Sequence, residues 1–263
     1  MNINAMKTNT FFYIFIILLI LYSGCQNRSN KNASSKNENL PDTSTVADTG
    51  FTGIKQLYSH KLLAREVTYK NGVKQGLMKT YLPSGKLYQT FWYRNGHLED
   101  TAKWYFDDGK VFRTTPFKND SMNGVQTQYY RNGKVRAKLN FVNGVQTPYL
   151  EEFFSDGGKI TIYPELVIKT RDEYRQNGIF KIWLDLTDKT VKATYYRGEY
   201  IDGLFFPKKY SKLNSSETTG YLELKKSGNP KDNYIGVIAE ISTPLGNKYL
   251  VYKKIDLPYN DLK

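Results

Sequence analysis

Residues Val67–Lys159 read VTYKNGVKQGLMKTYLPSGKLYQTFWYRNGHLEDTAKWYFDDGKVFRTTPFKNDSMNGVQTQYYRNGKVRAKLNFVNGVQTPYLEEFFSDGGK, and one pattern recurs in them every 24 residues. A first turn signal returns as Asn71-Gly72, Asn95-Gly96, Asn119-Asp120 and Asn143-Gly144, and a second as Gly85, Gly109, Gly133 and Gly157. An aromatic residue stands at every twelfth position, namely Tyr69, Tyr81, Tyr93, Tyr105, Phe117, Tyr129, Phe141 and Phe153. Self-similarity at a fixed period of this length is the signature of a repeat architecture.

Between the turns, the side chains alternate with the two-residue period of a β-strand. We expect Leu87, Phe91 and Tyr93 on one face of a strand and Tyr88 and Trp92 on the other. Asparagine and glycine suit the left-handed backbone that tight hairpin turns require. The pattern therefore predicts an all-β fold that begins with an elongated antiparallel hairpin-repeat sheet over residues 51–159, in which each unit touches only its neighbours.

These residues resemble the MORN-repeat family in its bacterial variant form. The resemblance rests on Tyr69-Lys70-Asn71-Gly72, Ser84-Gly85-Lys86-Leu87, Tyr93-Arg94-Asn95-Gly96, Asp108-Gly109-Lys110-Val111 and Tyr129–Val135, and it covers about Tyr58–Lys159. It implies a non-catalytic β-sheet that is used for contact with proteins or membrane surfaces. Some bacterial relatives are labelled antitoxin-like.

Several positions depart from the repeat. The glycine found at Gly76 and Gly124 is Asp100 in the second unit and Pro148 in the fourth, and Lys61 stands where the first unit should have a turn glycine. We interpret residues 51–65 as a degenerate first half-repeat. The irregular fourth unit suits a capping position beside another domain.

Aromatic and basic side chains outside the repeated stripe are the candidate binding residues. They are Trp92, Trp104, Phe106, Phe112, Tyr130, Arg94, Arg131 and Arg136. We expect the aromatic members to lie exposed on the face opposite the stripe that contains Phe91 and Tyr93. Two interpretations remain open: these residues dock a protein or a glycan, or the rings pack against one another across strands.

The regular spacing of aromatic residues stops after Lys159. Runs rich in β-branched and aromatic residues follow at Ile160–Lys169, Ile179–Leu186, Val191–Tyr196, Tyr221–Lys225, Tyr234–Ser242 and Lys248–Lys254. Pro164 splits the first run or confines it to a sheet edge. About six strands in roughly 100 residues predict a small antiparallel β-sandwich-like domain over residues 160–263. Continuation of the repeat sheet by irregular hairpins is the alternative.

The N-terminal residues have the features of a secretory signal. Lys7 precedes the apolar run Phe11–Tyr22, which as a helix would span about 18 Å and is too short for a bilayer core of about 30 Å. Leu21-Tyr22-Ser23-Gly24-Cys25 resembles the lipobox of bacterial lipoproteins, and Cys25 is the single cysteine of the chain. The resemblance implies a signal peptide over residues 1–24 and lipid attachment at Cys25. The alternative is an ordinary signal peptide with an incidental cysteine.

Residues 25–50 are mostly polar and predict a flexible tether, because they bury too little apolar surface to offset the entropy of ordering. By resemblance to lipoproteins, Gln26 after the cysteine is compatible with the outer membrane. We therefore expect a lipid-anchored protein of the bacterial cell envelope that faces the periplasm or the surface, with the membrane as one partner and an unknown protein as another.

The net charge of +13 is read as a soluble, lysine-rich surface. Attraction to an anionic envelope surface is the alternative, and nucleic acid is not expected at this cellular address. The chain has two histidines and no phosphate-binding loop, cysteine pair or nucleophile motif. Adjacent carboxylates such as Asp107-Asp108 and Glu151-Glu152 point to opposite faces of a strand, and we expect them to be solvated turn residues. We expect no enzyme activity, no cofactor and no metal site.

Two functions fit these features best. The first is a membrane-anchored envelope lipoprotein that acts as a non-catalytic protein-interaction or scaffold module. The second is an antitoxin- or immunity-like protein that binds and masks a secreted toxin. A glycan-binding or glycan-active envelope protein is a third and weaker interpretation.

Overall fold

The computed structural model of the protein describes residues 50–216, 218–229 and 233–263. The predicted signal peptide, the attachment residue Cys25 and nearly all of the predicted tether lie outside these residues. The described chain forms one long sheet followed by two four-stranded sheets, which confirms the predicted all-β fold. No helix within these residues is both long enough and apolar enough to cross a bilayer.

The long sheet contains eleven antiparallel strands. They are β1 (Gly53–Ser59), β2 (Leu62–Lys70), β3 (Val73–Tyr81), β4 (Leu87–Arg94), β5 (His97–Tyr105), β6 (Val111–Lys118), β7 (Ser121–Met122), β8 (Gly124–Tyr129), β9 (Val135–Val142), β10 (Val145–Phe153) and β11 (Lys159–Ile160). Each strand pairs with the next along the chain, except that β8 pairs with β6 and the short β7 is joined to β6 alone. This connectivity is the predicted ladder of hairpins.

Two kinds of turn join the strands, and both use left-handed backbone. Asn71 and Gly72 have φ angles of 51° and 78°, and the other two-residue turns of the repeat share this geometry. His60 and Lys61 do so as well, with φ angles of 49° and 66°. In the longer turns only the glycine is left-handed, as at Gly85 with a φ of 79°. The first hairpin therefore has a tighter turn than its later equivalents, which explains why Lys61 departs from the glycine pattern.

An extra residue in the second strand of the β1–β2, β3–β4, β5–β6 and β8–β9 hairpins shifts the alternation of side chains. Tyr81 lies opposite Leu87 and Thr80 lies opposite Gln89, so Tyr88 has no partner and forms a β-bulge. Ala64, Phe112 and Arg136 are bulged at the equivalent positions. Tyr88 consequently packs against the cluster around Trp104, together with Phe91. The expectation that Tyr88 shares a face with Trp92 is wrong.

The two faces of the long sheet carry different side chains. We call one the sandwich face; Trp104, Arg113, Gln128, Ala137 and Glu152 lie on it as Cα partners in successive strands. We call the other the open face. Its central row, here named the polar row, consists of Lys79, Thr90, Lys103, Thr114, Thr127, Lys138 and Glu151.

The C-terminal residues fold into two antiparallel sheets that face each other. The first contains β12 (Leu166–Glu173), β13 (Ile179–Leu186), β17 (Gly220–Lys225) and β16 (Asn214–Ser215), and the second contains β15 (Ser211–Lys212), β14 (Ala193–Arg197), β18 (Tyr234–Ser242) and β19 (Lys248–Asp256). A single turn of helix, α1 (Tyr174–Asn177), and a 3₁₀ turn at Pro207–Lys209 lie in the connections.

Apolar residues from both small sheets form one buried cluster. Ile182 and Leu224 from the first sheet and Tyr195 and Ile241 from the second are all fully buried in it. The predicted β-sandwich is therefore confirmed, and the alternative of a continued repeat sheet is not observed. Pro164 lies between β11 and β12, so the predicted run Ile160–Lys169 is split between the long sheet and the sandwich.

The turn between β18 and β19 attaches the sandwich to the long sheet. Gln128 Nε2 donates a hydrogen bond of 2.8 Å to Asn247 Oδ1, and Gln146 Nε2 donates one of 2.9 Å to the Lys248 carbonyl. Glu152 accepts two further bonds from this turn. Gln128, Gln146 and Glu152 all belong to the sandwich face, and the latter two lie in the irregular fourth unit. The sandwich therefore covers one end of that face.

Candidate functional site

The candidate aromatic residues do not share one face, because Trp104 is buried. Its side chain is only 4% exposed and its ring centre lies 5.6 Å from that of Phe91 in an edge-to-face contact. The Arg113 guanidinium lies 3.9 Å from the Trp104 ring centre, and Phe112 packs against the same cluster. The expected exposure of Trp104 is wrong, and cross-strand packing describes this residue.

The register between β4 and β5 explains why Trp92 and Trp104 are on opposite faces. Trp104 lies opposite Gln89, whereas Lys103 lies opposite Thr90. Trp92 is two residues after Thr90 and therefore shares its side of the strand. Trp92 is thus on the open face, while Trp104 is on the sandwich face.

Phe106, Tyr130 and Arg131 connect the longer turns of neighbouring units. Arg131 Nη1 lies 2.7 Å from Asp107 Oδ1, and its guanidinium lies 4.6 Å from the Phe106 ring centre. This hydrogen bond to Arg131 lowers the pKa of the Asp107 carboxyl. Tyr130 donates a hydrogen bond of 2.7 Å to the Phe153 carbonyl. These three candidates therefore make contacts within the repeat.

Arg136 belongs to the junction with the sandwich. Its Nη1 donates to Gln128 Oε1 at 2.8 Å, and its Nη2 donates to the Leu245 carbonyl at 2.6 Å. The second bond holds the β18–β19 turn against the long sheet, and the first orients the guanidinium within that sheet. Trp92, Arg94 and Arg131 are the candidates that remain exposed. Arg131 is held by its ion pair with Asp107, and Trp92 is 41% exposed.

Trp92 belongs to a line of exposed apolar side chains that crosses the open face. We name this line the apolar strip; its members are Ile54, Leu77, Trp92, Val125 and Tyr149. Trp92 and Leu77 are direct Cα partners. Leu77, Val125 and Tyr149 stand at the same position of the 24-residue repeat, one residue after Gly76, Gly124 and Pro148. That periodicity is the sequence signal that could have identified the strip.

The polar row runs beside the apolar strip and contains both basic and acidic side chains. Lys79 lies 3.5 Å from Glu66 and Lys138 lies 3.8 Å from Glu151, so the two ends of the row are paired. Within the described residues, Lys103 in the middle of the row has no acidic partner. It lines a shallow groove together with Val111, Thr114 and Tyr129. Lys110 and Asn132 line the same groove, so the centre of the open face is basic beside the apolar strip.

Hydrogen bonding contributes to the shifted pKa values of Glu66 and Tyr81 at one edge of this face. Tyr81 Oη donates to Glu66 Oε2 at 2.6 Å, and this bond is the main reason why the pKa of Glu66 is lowered. Burial, followed by the hydrogen bond to Glu66, raises the pKa of Tyr81 to about 12.

Across the described ranges, no three His, Cys, Asp or Glu side chains are grouped closely enough to hold a metal ion.

Comparison with known families recovers part of the repeat. Residues 101–119 and 122–143 match the family model described as the MORN repeat variant; these segments contain most of β5, all of β6, β8 and β9, and Met122 of β7. No curated protein matches the chain. MORN repeats are generally protein- or membrane-interaction modules, and the matched segment is similar to the variant of that repeat.

Proposed function

We propose that the protein is a membrane-anchored lipoprotein of the bacterial cell envelope, and that its open face docks a protein partner without catalysing a reaction. The observation that carries this proposal is the apolar strip centred on Trp92. Tryptophan is enriched among the residues that dominate binding energy at interfaces. Trp92 and Leu77 also lie side by side as two exposed apolar residues on this face, and exposed apolar patches mark interaction sites.

The arrangement of the two faces supports the same proposal. The sandwich is attached through the opposite face, so the apolar strip and Lys103 remain accessible beside each other. The strip runs over paired strands whose adjacent units are hydrogen-bonded and salt-bridged, as Arg131 is to Asp107. A pre-organised surface of this kind loses little conformational entropy on binding.

Substitution of Trp92 by serine tests this docking surface. Partners crosslinked to the full-length protein in intact cells are compared between the wild type, Trp92→Ser and Ile162→Ser. Ile162 is the matched control, because it is an exposed apolar residue outside the strip. We expect Trp92→Ser to lose the partner with an unchanged melting temperature, and Ile162→Ser to keep it. Equal capture by all three proteins would contradict the proposal.

The nature of that partner separates two roles. The resemblance to the repeat variant, some of whose bacterial members are labelled antitoxin-like, favours an antitoxin- or immunity-like role as the second candidate. A lone toxin domain lost on Trp92→Ser supports immunity, whereas envelope assembly proteins support a scaffold. Turnover of envelope glycans by the purified protein, abolished by one carboxylate substitution, would contradict both.

The proposed anchor has its own test. Metabolic labelling with a palmitate analogue should label the wild type and leave Cys25→Ser unlabelled, because Cys25 provides the sole thiol of the chain. Firm anchoring requires more than one acyl chain, so Cys25→Ser should also move from the membrane fraction to the soluble fraction. Equal labelling of the two proteins would exclude lipidation at this residue.

A further inference from the structure

The first strand of the long sheet has an open outer edge. β1 pairs with β2 only, and none of the other described residues pairs with its far side. Its side chains are unusually exposed for apolar residues: Ile54 is 62% exposed and Tyr58 is 61% exposed. The register of β1 against β2 shifts between Leu57 and Tyr58, where Ala64 of β2 is bulged. An edge strand with exposed apolar side chains and unpaired backbone groups is a template for a further strand.

The opposite edge of the same sheet is protected. β11 contains only Lys159 and Ile160, and Pro164 follows soon after, a residue that cannot donate a ladder hydrogen bond. Short edge strands and nearby proline are devices that prevent strand addition. Head-to-tail stacking of β1 on β11 is therefore disfavoured. An assembly through β1 then has to pair β1 with β1, which limits it to two copies.

We propose that β1 pairs antiparallel with β1 of a second copy of this chain, about a two-fold axis perpendicular to the sheet. A register centred on Gln56 engages all seven residues of β1. Ile54 of each copy then lies opposite Tyr58 of the other. Both side chains belong to the open face, since Gln56 between them bonds to Glu66 and Tyr58 bonds to Gln56.

The sequence of β1 is self-complementary in this register. An aromatic residue opposite a β-branched residue is a favourable cross-strand pair, and the symmetry creates two such pairs. Lys55 is the only charged residue of β1, and the register places it opposite Leu57 rather than opposite a second lysine. Two exposed apolar side chains per copy are thereby covered without opposing like charges.

Pairing would also extend the docking surface proposed above. Ile54 is the terminal member of the apolar strip, so the two-fold axis would join the strips of two copies end to end on one face. Seven paired residues on each side form a small contact compared with the ~1,600 Å² of a typical stable interface. We therefore expect a weak dimer, which confinement to a membrane surface would favour.

Disulfide trapping tests the register. In full-length protein carrying Cys25→Ser, Gln56→Cys places two thiols at the two-fold axis, where opposed Cα atoms are about 4.5–5.5 Å apart, within disulfide range. Val125→Cys, on the open face away from the edge, controls for random collision. We expect Gln56→Cys to form a crosslinked dimer at a dilution where Val125→Cys does not. Equal crosslinking of both variants, or none of Gln56→Cys, would overturn the proposal.

Sedimentation of the Cys25→Ser protein at increasing concentration provides the second test. We expect a dimer that is lost in Tyr58→Lys and retained in Val73→Lys, because Val73 is an exposed apolar residue outside β1. A monomer at every concentration would overturn the proposal. Residues before β1 that covered its outer edge would give this result. Trp92 is intact in these variants, so failure here is distinguishable from failure of the docking surface.

Discussion

Asn247 donates a hydrogen bond of 2.7 Å from its Nδ2 to Oε1 of Glu152, although 95 residues separate the two in sequence. The same oxygen accepts a 2.7 Å bond from the Thr243 hydroxyl, and Glu152 is only 1% exposed. The neighbouring Glu151 instead lies on the open face and pairs with Lys159. The predicted divergence of this carboxylate pair is confirmed, whereas the expected solvation of Glu152 is wrong.

Removal of the Glu152 carboxylate should weaken the attachment of the sandwich. Glu152→Ala leaves two buried donors, Thr243 and Asn247, without an acceptor, which costs about 1–3 kcal/mol for each unsatisfied group. We expect a clear fall in the free energy of unfolding measured with urea. Glu151→Ala is the matched control and should change it by less than about 1 kcal/mol, because exposed ion pairs contribute little. Equal losses in the two variants would contradict the assigned role of Glu152.

The two tryptophans should respond differently to truncation. Trp104→Ala removes a buried ring that contacts Phe91 and Arg113 and should cost about 3–5 kcal/mol. Trp92→Ala acts on an exposed side chain and should stay within about 0.5 kcal/mol. Urea denaturation of both variants measures the difference. A larger loss for Trp92 than for Trp104 would show that the faces are assigned the wrong way round.

Gly124 should tolerate alanine less well than Gly109. Both have positive φ angles, 115° and 82°, so alanine is strained at either position. A Cβ at Gly124 would also lie 3.0 Å from the Pro116 side chain, whereas one at Gly109 would meet nothing within 4 Å. We expect Gly124→Ala to lower the free energy of unfolding by about 1 kcal/mol more than Gly109→Ala. Thermal melts in parallel provide the comparison, and equal melting temperatures would contradict it.

Alkaline pH should unfold the protein through its buried tyrosines. Burial, with a smaller effect of Asp185, raises the pKa of Tyr195 to about 12, and burial near Glu152 raises that of Tyr163 to about 12. A raised folded-state pKa contributes stability that is complete below the unfolded value of about 10 and is lost as pH rises towards the folded value. We expect stability to fall between about pH 10 and pH 12.

Urea denaturation across this pH range, with tyrosinate absorbance recorded in parallel, checks the alkaline prediction. Tyr195→Phe removes one of the responsible groups, so its stability should fall less steeply with pH than that of the wild type. Tyr58→Phe is the matched control, because Tyr58 is exposed, and its slope should equal that of the wild type. Identical slopes in all three proteins would rule out Tyr195 as a contributor.

Much of the fold could be predicted from local sequence signals. The turns at Asn71-Gly72 and its repeats require left-handed backbone, and few residues other than Asn, Asp and Gly adopt it readily. In the sandwich, the predicted run Ile179–Leu186 agrees with β13 at both ends, and Tyr234–Ser242 agrees with β18. These strands are recognisable because continuous apolar runs bounded by turn residues suit strands buried in a sandwich.

The candidate site was harder to predict, because one unrecognised bulge or register shift assigns the side chains beyond it to the wrong face of the sheet. One bulged residue, such as Tyr88 or Phe112, reverses the alternation of every residue after it in the strand. Trp104 was assigned to the wrong face because the register between β4 and β5 pairs it with Gln89 and pairs Lys103 with Thr90, and the sequence does not reveal that register. The apolar strip was not predicted, because its repeated members Leu77, Val125 and Tyr149 differ in residue type and are separated by whole repeats.

The sequence by itself determined the hairpin ladder, since its period, turn residues and alternation are all local properties of the chain. Only the tertiary structure decided which face of the ladder remains accessible, because that depends on where the sandwich attaches. The attachment is made by pairs such as Glu152 and Asn247, whose hydrogen bond joins two different sheets across 95 residues of sequence. Burial converts a carboxylate that looks like an ordinary surface residue into the acceptor at that junction.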